Sequence, residues 1–323
     1  MKKSKIIVLI LAIALVVGTM LAVTLPAAAA INEEDWIAAP KNTLIKCPGG
    51  ACDHTSCDYV YSFAVIGDTQ NLNYTDAKNY VAALAEDSTL TYEKYTSAYM
   101  RTLYNWILAN RESKNIEYVL GMGDITQSFN TSQTYYDEEW PLAKEAIKLL
   151  DGEIGYSLVR GNHDISSGMN GVFGVGTEYY NALAKLAEEK DETGRPMAGF
   201  LNPEKVEDTY RKIVTSSGDK YIIFTLDYYP TEACVDWLND TLAANSDYTA
   251  IITLHAFLNT DRTFIDDFET TTPADSAADS SWYQIATGGN VSPRTLWDNA
   301  LSKQLTVLPF SPINWLFKAY PVT

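Results

Sequence analysis

The chain has 323 residues, and its 24 lysine and arginine residues are outnumbered by 41 aspartate and glutamate residues, which gives a formal net charge of −17. Such an acidic surface repels nucleic acid and anionic lipid, so it argues against both as partners. It does not exclude an anionic small molecule, because bound cations can reverse the sign of the local field.

Residues 1–30 have the pattern of a secretory signal peptide. A lysine-rich start precedes an apolar run from residue 6 to residue 23, and Ala28 and Ala30 form a small-residue cleavage site. An uncleaved anchor is the alternative, because the run is nearly long enough to span a bilayer. Cleavage would remove three lysines and no acidic residue, leaving 293 residues for one large domain or two small ones. We expect a secreted or extracytoplasmic protein with no stable membrane span after cleavage.

Residues 31–58 form a lead-in that contains most of the cysteines. The exported context and the even number of cysteines favour two disulfides, and three pairings are open. A disulfide between Cys47 and Cys57 would be an N-terminal staple. A small zinc site that includes His54 is the alternative, although the spacing is not a usual zinc pattern. The four cysteines are Cys47, Cys52, Cys57 and Cys234.

Three strand-like apolar runs are each followed by a polar loop. They are YVYSFAVIGDTQ at 59–70, NIEYVLGMGDITQ at 115–127 and EIGYSLVRGNHD at 153–164. Helical periodicity separates them, from about residue 78 to residue 113 and over residues 135–150. Strand, loop and helix in this order predict an α/β sheet whose strands are buried on both faces.

The second half of the chain predicts a second sheet. Residues 207–227 read as a hairpin with Ser-Gly-Asp at its turn. Helical patterns lie on either side of it, at 177–190 and 231–245, and a further strand leads into His255. We expect these strands to pack as a second sheet on the first.

Polar side chains follow four of the predicted strands. Each loop alone is compatible with an ordinary turn or helix cap. Ligands gather at the carboxyl ends of strands in open α/β sheets, however, and carboxylate, amide and imidazole together suit divalent metals. The side chains are Asp68 and Gln70, then Asp124, then Asn162, His163 and Asp164, and finally His255.

These motifs resemble the calcineurin-like metallophosphoesterases over residues 60–300. Asp-x-Gln at 68–70, Gly-Asp at 123–124 and Gly-Asn-His-Asp at 161–164 carry the resemblance, together with the apolar strand into His255. The GDTQ motif is similar to that of exported bacterial members in which glutamine replaces histidine. The resemblance implies a four-layer α/β/β/α sandwich with a catalytic domain over 59–300.

The resemblance also implies two divalent metal ions, which would be Mn, Fe or Zn. Asp68 and Gln70 would bind the first ion, Asp124 would bridge both, and Asn162 and His255 would bind the second. Two such ions clamp a phosphate and generate a hydroxide nucleophile at neutral pH.

His163 would then be the general acid for the leaving group, with Asp164 orienting its imidazole. The implied function is a secreted phosphoesterase that acts on a phosphate mono- or diester of a small molecule or cell-envelope substrate. The alternative is a catalytically impaired extracellular binding module on the same fold. Arg160 would either contact substrate phosphate or pair with a surface acid.

The end of the chain departs from the family pattern. The family normally supplies a late Gly-His-x-His motif, and no histidine follows His255. Residues 301–323 form an atypical tail rich in apolar residues and proline. True divergence and a truncated or frameshifted copy are both open, with the second favoured because an exposed apolar tail is a poor ending for a secreted acidic domain. The C-terminal part of the fold is therefore expected to be incomplete.

Overall fold

The computed structural model contains two β-sheets that pack face to face. The first has four parallel strands in chain order, which are β1 (Val8–Leu11), β2 (Ser62–Ile66), β3 (Ile116–Gly121) and β4 (Gly155–Leu158). The structure describes residues 8–11, 60–128, 131–166, 173–228, 230–257, 291–303 and 307–310.

The second sheet has five strands, also in chain order. Its first three strands are antiparallel and include the predicted hairpin, and its last two run parallel to the third. The strands are β5 (Ala198–Phe200), β6 (Thr209–Val214), β7 (Lys220–Thr225), β8 (Thr249–Thr253) and β9 (Val307–Phe310).

Helices cover the outer face of each sheet. The described helices are α1 (Gln70–Glu86), α2 (Tyr99–Asn110), α3 (Tyr136–Ile147), α4 (Asn162–Ser166), α5 (Glu178–Glu188), α6 (Glu232–Ala244) and α7 (Pro293–Asn299). None of them, within the described residues, is long and apolar enough to cross a membrane.

Buried side chains alternate between two sides of each sheet. Phe63 and Leu120 of the first sheet pack with Ile223 and Ile251 of the second and fill the space between the sheets. The intervening strand residues face outward, onto α2 and α3 in the first sheet and onto α6 and α7 in the second. This period-two alternation confirms the four-layer α/β/β/α fold that the family resemblance implied.

The helix predicted from about residue 78 to residue 113 is two helices. Asp87 ends α1 with an Asx turn, because its carboxylate accepts the backbone N–H and the hydroxyl of Thr89. The second helix begins where Asp76 of α1 accepts the N–H groups of Tyr99 and Met100, at 2.7 and 2.9 Å. A carboxylate from a neighbouring helix therefore caps α2.

Cys234 is a free, buried cysteine, so the expectation of two disulfides is wrong. It lies in the first turn of α6, where its thiol donates to Asp208 Oδ1 at 3.2 Å. The other cysteines and His54 lie outside the described residues, as do most of residues 1–30 and 301–323. The signal peptide, the staple and the character of the tail stay predictions, although β1 lies within residues 1–30 and β9 within 301–323.

Candidate metal centre

The ends of four strands from both sheets bring the predicted site residues together. Asp68 follows β2, Asp124 follows β3 and Asn162 follows β4, while His255 arrives from β8 of the second sheet. The imidazole of His255 is fully buried and lies at the centre of this cluster.

Three potential ligand atoms lie within a few ångströms of one another. His255 Nε2 is 3.1 Å from Asn162 Oδ1 and 3.4 Å from Asp124 Oδ1. Two atoms that bind one cation at roughly 2.1 Å are themselves about 3 to 3.4 Å apart, so this spacing suits a shared ion. His255 Nδ1 lies 2.9 Å from the Met122 carbonyl oxygen, and a proton shared there leaves Nε2 as the ligand atom.

The electrostatics of the cluster favour a positive charge. Burial would lower the pKa of His255, but the attraction of Asp124 and Asp68 outweighs it and raises that pKa to about 9. Burial also raises the pKa of Asp68, against the opposing attraction of His255. A buried cation is thus stabilised where the carboxylates meet.

The first predicted metal position is more open. The Asp68 side chain is 38% exposed, and its Oδ1 lies 3.7 Å from His255 Nδ1. Gln70 begins α1, and its Oε1 is buried without a hydrogen-bond partner among the described residues. Leaving a buried amide oxygen unpaired costs about 1 to 3 kcal/mol. A cation or hydrogen-bond donor bound to Gln70 Oε1 would offset this cost.

The side chains at the candidate site are therefore of the types that bind divalent cations, but each metal position has few of them among the described residues. No group of three or more His, Cys, Asp and Glu side chains could hold a metal ion within the part of the chain that the structure describes. Each predicted position instead combines two side chains of these types with one amide, Gln70 or Asn162. Carboxylate, amide oxygen and imidazole fit Mn, Fe or Zn.

Two glycines let the loops approach this closely. Gly123 has φ 97 and is followed by Asp124 with φ 47, so two successive residues are left-handed. A Cβ on Gly161 would lie 2.1 Å from Asp124 Oδ1. The left-handed turn is therefore at Gly123, whereas Gly161 is needed because its missing Cβ leaves room for Asp124.

His163 lies at the edge of the cluster, where its backbone N–H donates to Asp124 Oδ1 at 3.0 Å. Its Nδ1 is 2.8 Å from the Gln127 carbonyl oxygen, which is not the Asp164 partner that the resemblance implied. The Asp164 carboxylate accepts instead from the N–H groups of Ile125, Thr126 and Gly161, at 2.9 to 3.0 Å. Burial beside Asp124 raises the pKa of Asp164 to about 7.

Arg160 is committed to buried acids rather than to a surface acid. Its guanidinium binds Asp227 through two nitrogens, at 2.9 and 2.6 Å, and lies 3.2 Å from Glu207 Oε1. Both acids are buried. These contacts argue against Arg160 as a phosphate ligand.

Two residues that were not predicted from the sequence hold the 124–128 loop, which carries Asp124. Asn73 of α1 donates its amide to the Ile125 carbonyl at 3.0 Å. Glu139 of α3 accepts the backbone N–H groups of Gln127 and Ser128. A single sequence carries no signal for either contact, because both residues lie on helices and join the loop only in the folded chain.

Residues 61–280, more than half of the chain, match the calcineurin-like phosphoesterase family, and the protein belongs to that family. A stretch of 154 residues is 25% identical to the uncharacterized protein YvnB of Bacillus subtilis (strain 168). That stretch is 47% of this chain and 11% of YvnB, so the chain spans only a small part of this relative.

Among solved structures, a dimetal phosphatase from Danio rerio is similar, with 11% identity and a TM-score of 0.34 over 65% of this chain and 68% of the other.

Proposed function

We propose that the protein is an extracytoplasmic phosphoesterase that hydrolyses a phosphate mono- or diester with two divalent metal ions, Mn, Fe or Zn, and with His163 as general acid. The observation that carries this proposal is the approach of Asn162 Oδ1 and Asp124 Oδ1 to His255 Nε2, at 3.1 and 3.4 Å, from three separate loops.

The chain's own residues divide into two sets of ligands. Asn162 and His255 would hold the second ion, Asp68 and Gln70 the first, and Asp124 would contribute to both. When bound, such ions supply positive charge for the phosphate and a nucleophile at neutral pH. The buried carboxylates repel a phosphate in the absence of cations, so we expect substrate binding to depend on metal.

His163 supplies the proton for the leaving group. The contact of Nδ1 with the Gln127 carbonyl orients the ring and reserves Nε2 for proton transfer. A positioned imidazole is a common general acid for a departing alkoxide. The proton passes from Nε2 to the leaving-group oxygen as the ester bond breaks.

A catalytically silent binding module is the second candidate. It is favoured by the small number of charged or imidazole ligands at each position among the described residues. On this alternative, the cluster around Asp68 and Asp124 would hold a cation or ligand without turnover. Two tightly held ions per chain would count against it.

The test uses metal-free protein that is reconstituted with manganese, zinc or iron. We expect hydrolysis of p-nitrophenyl phosphate or of its bis-nitrophenyl diester. Asp124→Asn should lose metal and activity together, and asparagine tolerates the left-handed backbone at this position. Reconstituted protein that cleaves neither ester would remove the main support for the proposal.

His163→Ala separates the two roles. This variant should retain metal while turnover slows by about 10²-fold or more, which is the usual contribution of a general acid. Equal loss of metal in His163→Ala and Asp124→Asn would show that the roles are wrongly assigned.

The location outside the cytoplasm rests on the basic, apolar and alanine pattern of residues 1–30. Expression of the full chain in a bacterial host tests it. Mature protein outside the cytoplasm that begins near residue 31 is the expected result, whereas uncleaved protein retained inside would contradict this part of the proposal.

A further inference from the structure

A second buried carboxylate holds the loop that carries the bridging aspartate. Glu139 lies in the first turn of α3 and is fully buried. Its Oε2 accepts the N–H groups of Gln127 and Ser128, at 2.5 and 3.1 Å, and its Oε1 accepts the Ser128 hydroxyl. None of the site motifs includes this residue.

Glu139 and Asp164 divide the 124–128 loop between them. Asp164 accepts the N–H groups of Ile125 and Thr126, and Glu139 accepts those of the next two residues. Four consecutive backbone donors are therefore directed at two buried carboxylates. Because each of the four N–H groups has a partner, the loop has little freedom to rotate.

The geometry of the peptide bond connects Glu139 to the imidazole. The Gln127 carbonyl and the Ser128 N–H belong to one trans peptide plane, in which they point in opposite directions. When Glu139 binds the Ser128 N–H, the Gln127 carbonyl must point away from Glu139. In the structure it points at His163 Nδ1, at 2.8 Å.

We infer that Glu139 is a positioning residue, which orients the imidazole of His163 through the peptide unit between Gln127 and Ser128. This inference rests on the proposed function, in which His163 donates a proton. Burying a carboxylate is costly unless its oxygens are satisfied, and the loop donors satisfy them here. The Glu139 carboxylate therefore fixes the direction of the Gln127 carbonyl group.

Glu139→Gln tests the inference with little change in side-chain size. The amide NH2 cannot accept a hydrogen bond, and a neutral amide oxygen is a weaker acceptor than a carboxylate oxygen, so the hydrogen bonds that hold the loop N–H groups weaken. Glu138→Gln is the matched control, because Glu138 is the adjacent residue, accepts from the Tyr92 hydroxyl at 2.7 Å, and keeps an acceptor oxygen after substitution.

The activity readout compares two leaving groups. An alkyl phosphate needs the proton from His163, whereas p-nitrophenyl phosphate has a leaving group of low pKa that needs it much less. We expect Glu139→Gln to lower kcat/KM by about 10-fold or more for the alkyl ester and by less than about 3-fold for the nitrophenyl ester. Equal losses for both esters, or no loss for either, would overturn the inference.

A second readout uses metal-free protein and does not depend on turnover. The full chain contains three histidines, so the ring nitrogens of His163 are readily assigned by NMR. We expect a protonated Nδ1 in the wild type and in Glu138→Gln, and loss of that state in Glu139→Gln. An unchanged His163 ring in Glu139→Gln would contradict the positioning role.

These two readouts separate the inference from the proposed function. If the reconstituted wild type hydrolyses neither ester, the proposed function fails, and the ring signals still report whether Glu139 holds His163 through the loop. If hydrolysis occurs, and Glu139→Gln changes neither the kcat/KM values for the two esters nor the state of the His163 ring, only the inference fails.

Discussion

Buried carboxylates hold chain segments in two regions of the molecule, and in only one of these regions do we describe cationic side chains among their partners. At the candidate metal centre, Asp164 and Glu139 accept from backbone N–H groups of the 124–128 loop. Beside the second sheet, Asp191 accepts from the backbone N–H groups of Thr193 and Arg195, at 2.9 and 3.0 Å, and in addition from the ammonium of Lys212 at 2.8 Å and from the guanidinium of Arg195 at 3.1 Å. The Lys212 side chain is fully buried.

Backbone partners and cationic partners have different effects on the chain segments that a carboxylate holds. Backbone N–H donors fix the orientation of peptide planes, so the carboxylates at the metal centre determine where carbonyls and side chains point. An ion pair attracts in many orientations and chiefly holds segments together. We therefore expect changes at the metal centre to alter activity more than stability, and changes at Asp191 to do the reverse.

The largest effect should follow from Gly161→Ala. The new Cβ would lie 2.1 Å from Asp124 Oδ1 and 2.3 Å from the Asp124 backbone nitrogen, so Asp124 must move. Displacement of reacting groups by about 1 Å can cost 10²-fold, and we expect at least that loss in kcat/KM of the reconstituted enzyme.

Gly152→Ala is the control for this substitution. Gly152 is left-handed, with φ 74, and a Cβ there meets no atom within 4 Å. It should cost about 1 kcal/mol of stability and leave kcat/KM unchanged. Equal kinetic constants for the Gly161 and Gly152 variants would show that the close approach at Asp124 has no role in activity.

Asp191→Asn should lower stability with little change in activity. Lys212 would remain buried without its carboxylate, which is one of the costliest changes in a protein interior. We expect Tm to fall by more than about 5 °C in thermal denaturation, with kcat/KM within about 2-fold of the wild type. Asp247→Asn is the control, because Asp247 is 40% exposed and also pairs with Arg195. A fall in Tm no larger than that of this control would contradict the account.

The smallest effect should be on the way that the stability of the protein changes at acidic pH. Burial would raise the pKa of Asp191, but hydrogen bonds from Lys212 and Thr193 outweigh it and hold that pKa below its usual range. The unfolded chain then binds protons at a higher pH than the folded chain, so this stabilisation is present above about pH 4 and declines as the pH falls further.

Thermal denaturation across pH checks this sign. The difference in Tm between wild type and Asp191→Asn should be constant from about pH 5 to pH 7 and should shrink below about pH 4. A difference that grows on acidification would show that the pKa is shifted in the other direction.

The sequence allowed prediction of β2, β3, β4, β6, β7 and β8 and of the loop ends that converge, whereas β1, β5 and β9 were not predicted. Apolar runs that stop at a glycine and an aspartate are a local pattern, and parallel strands carry their ends to one edge. The break between α1 and α2 was missed because Asp76 caps the second helix from the first. That contact joins residues that are distant in the sequence.

Contacts between residues that are distant in the sequence also explain why some residues at the site were missed or assigned the wrong partner. In the sequence, Glu139 reads as an acidic residue in a first helical turn, where a negative charge is ordinarily favourable. Arg160 reads as a surface cation, although two buried acids hold it. Their functions depend on which distant groups the fold brings within hydrogen-bond distance.

Anomalous diffraction from crystals of the protein soaked in manganese tests directly whether side chains from separate loops surround shared cations. We predict a peak at about 2 to 2.3 Å from Asp124 Oδ1, Asn162 Oδ1 and His255 Nε2. Manganese that binds elsewhere, with these three atoms uncoordinated at saturating metal, would contradict the account.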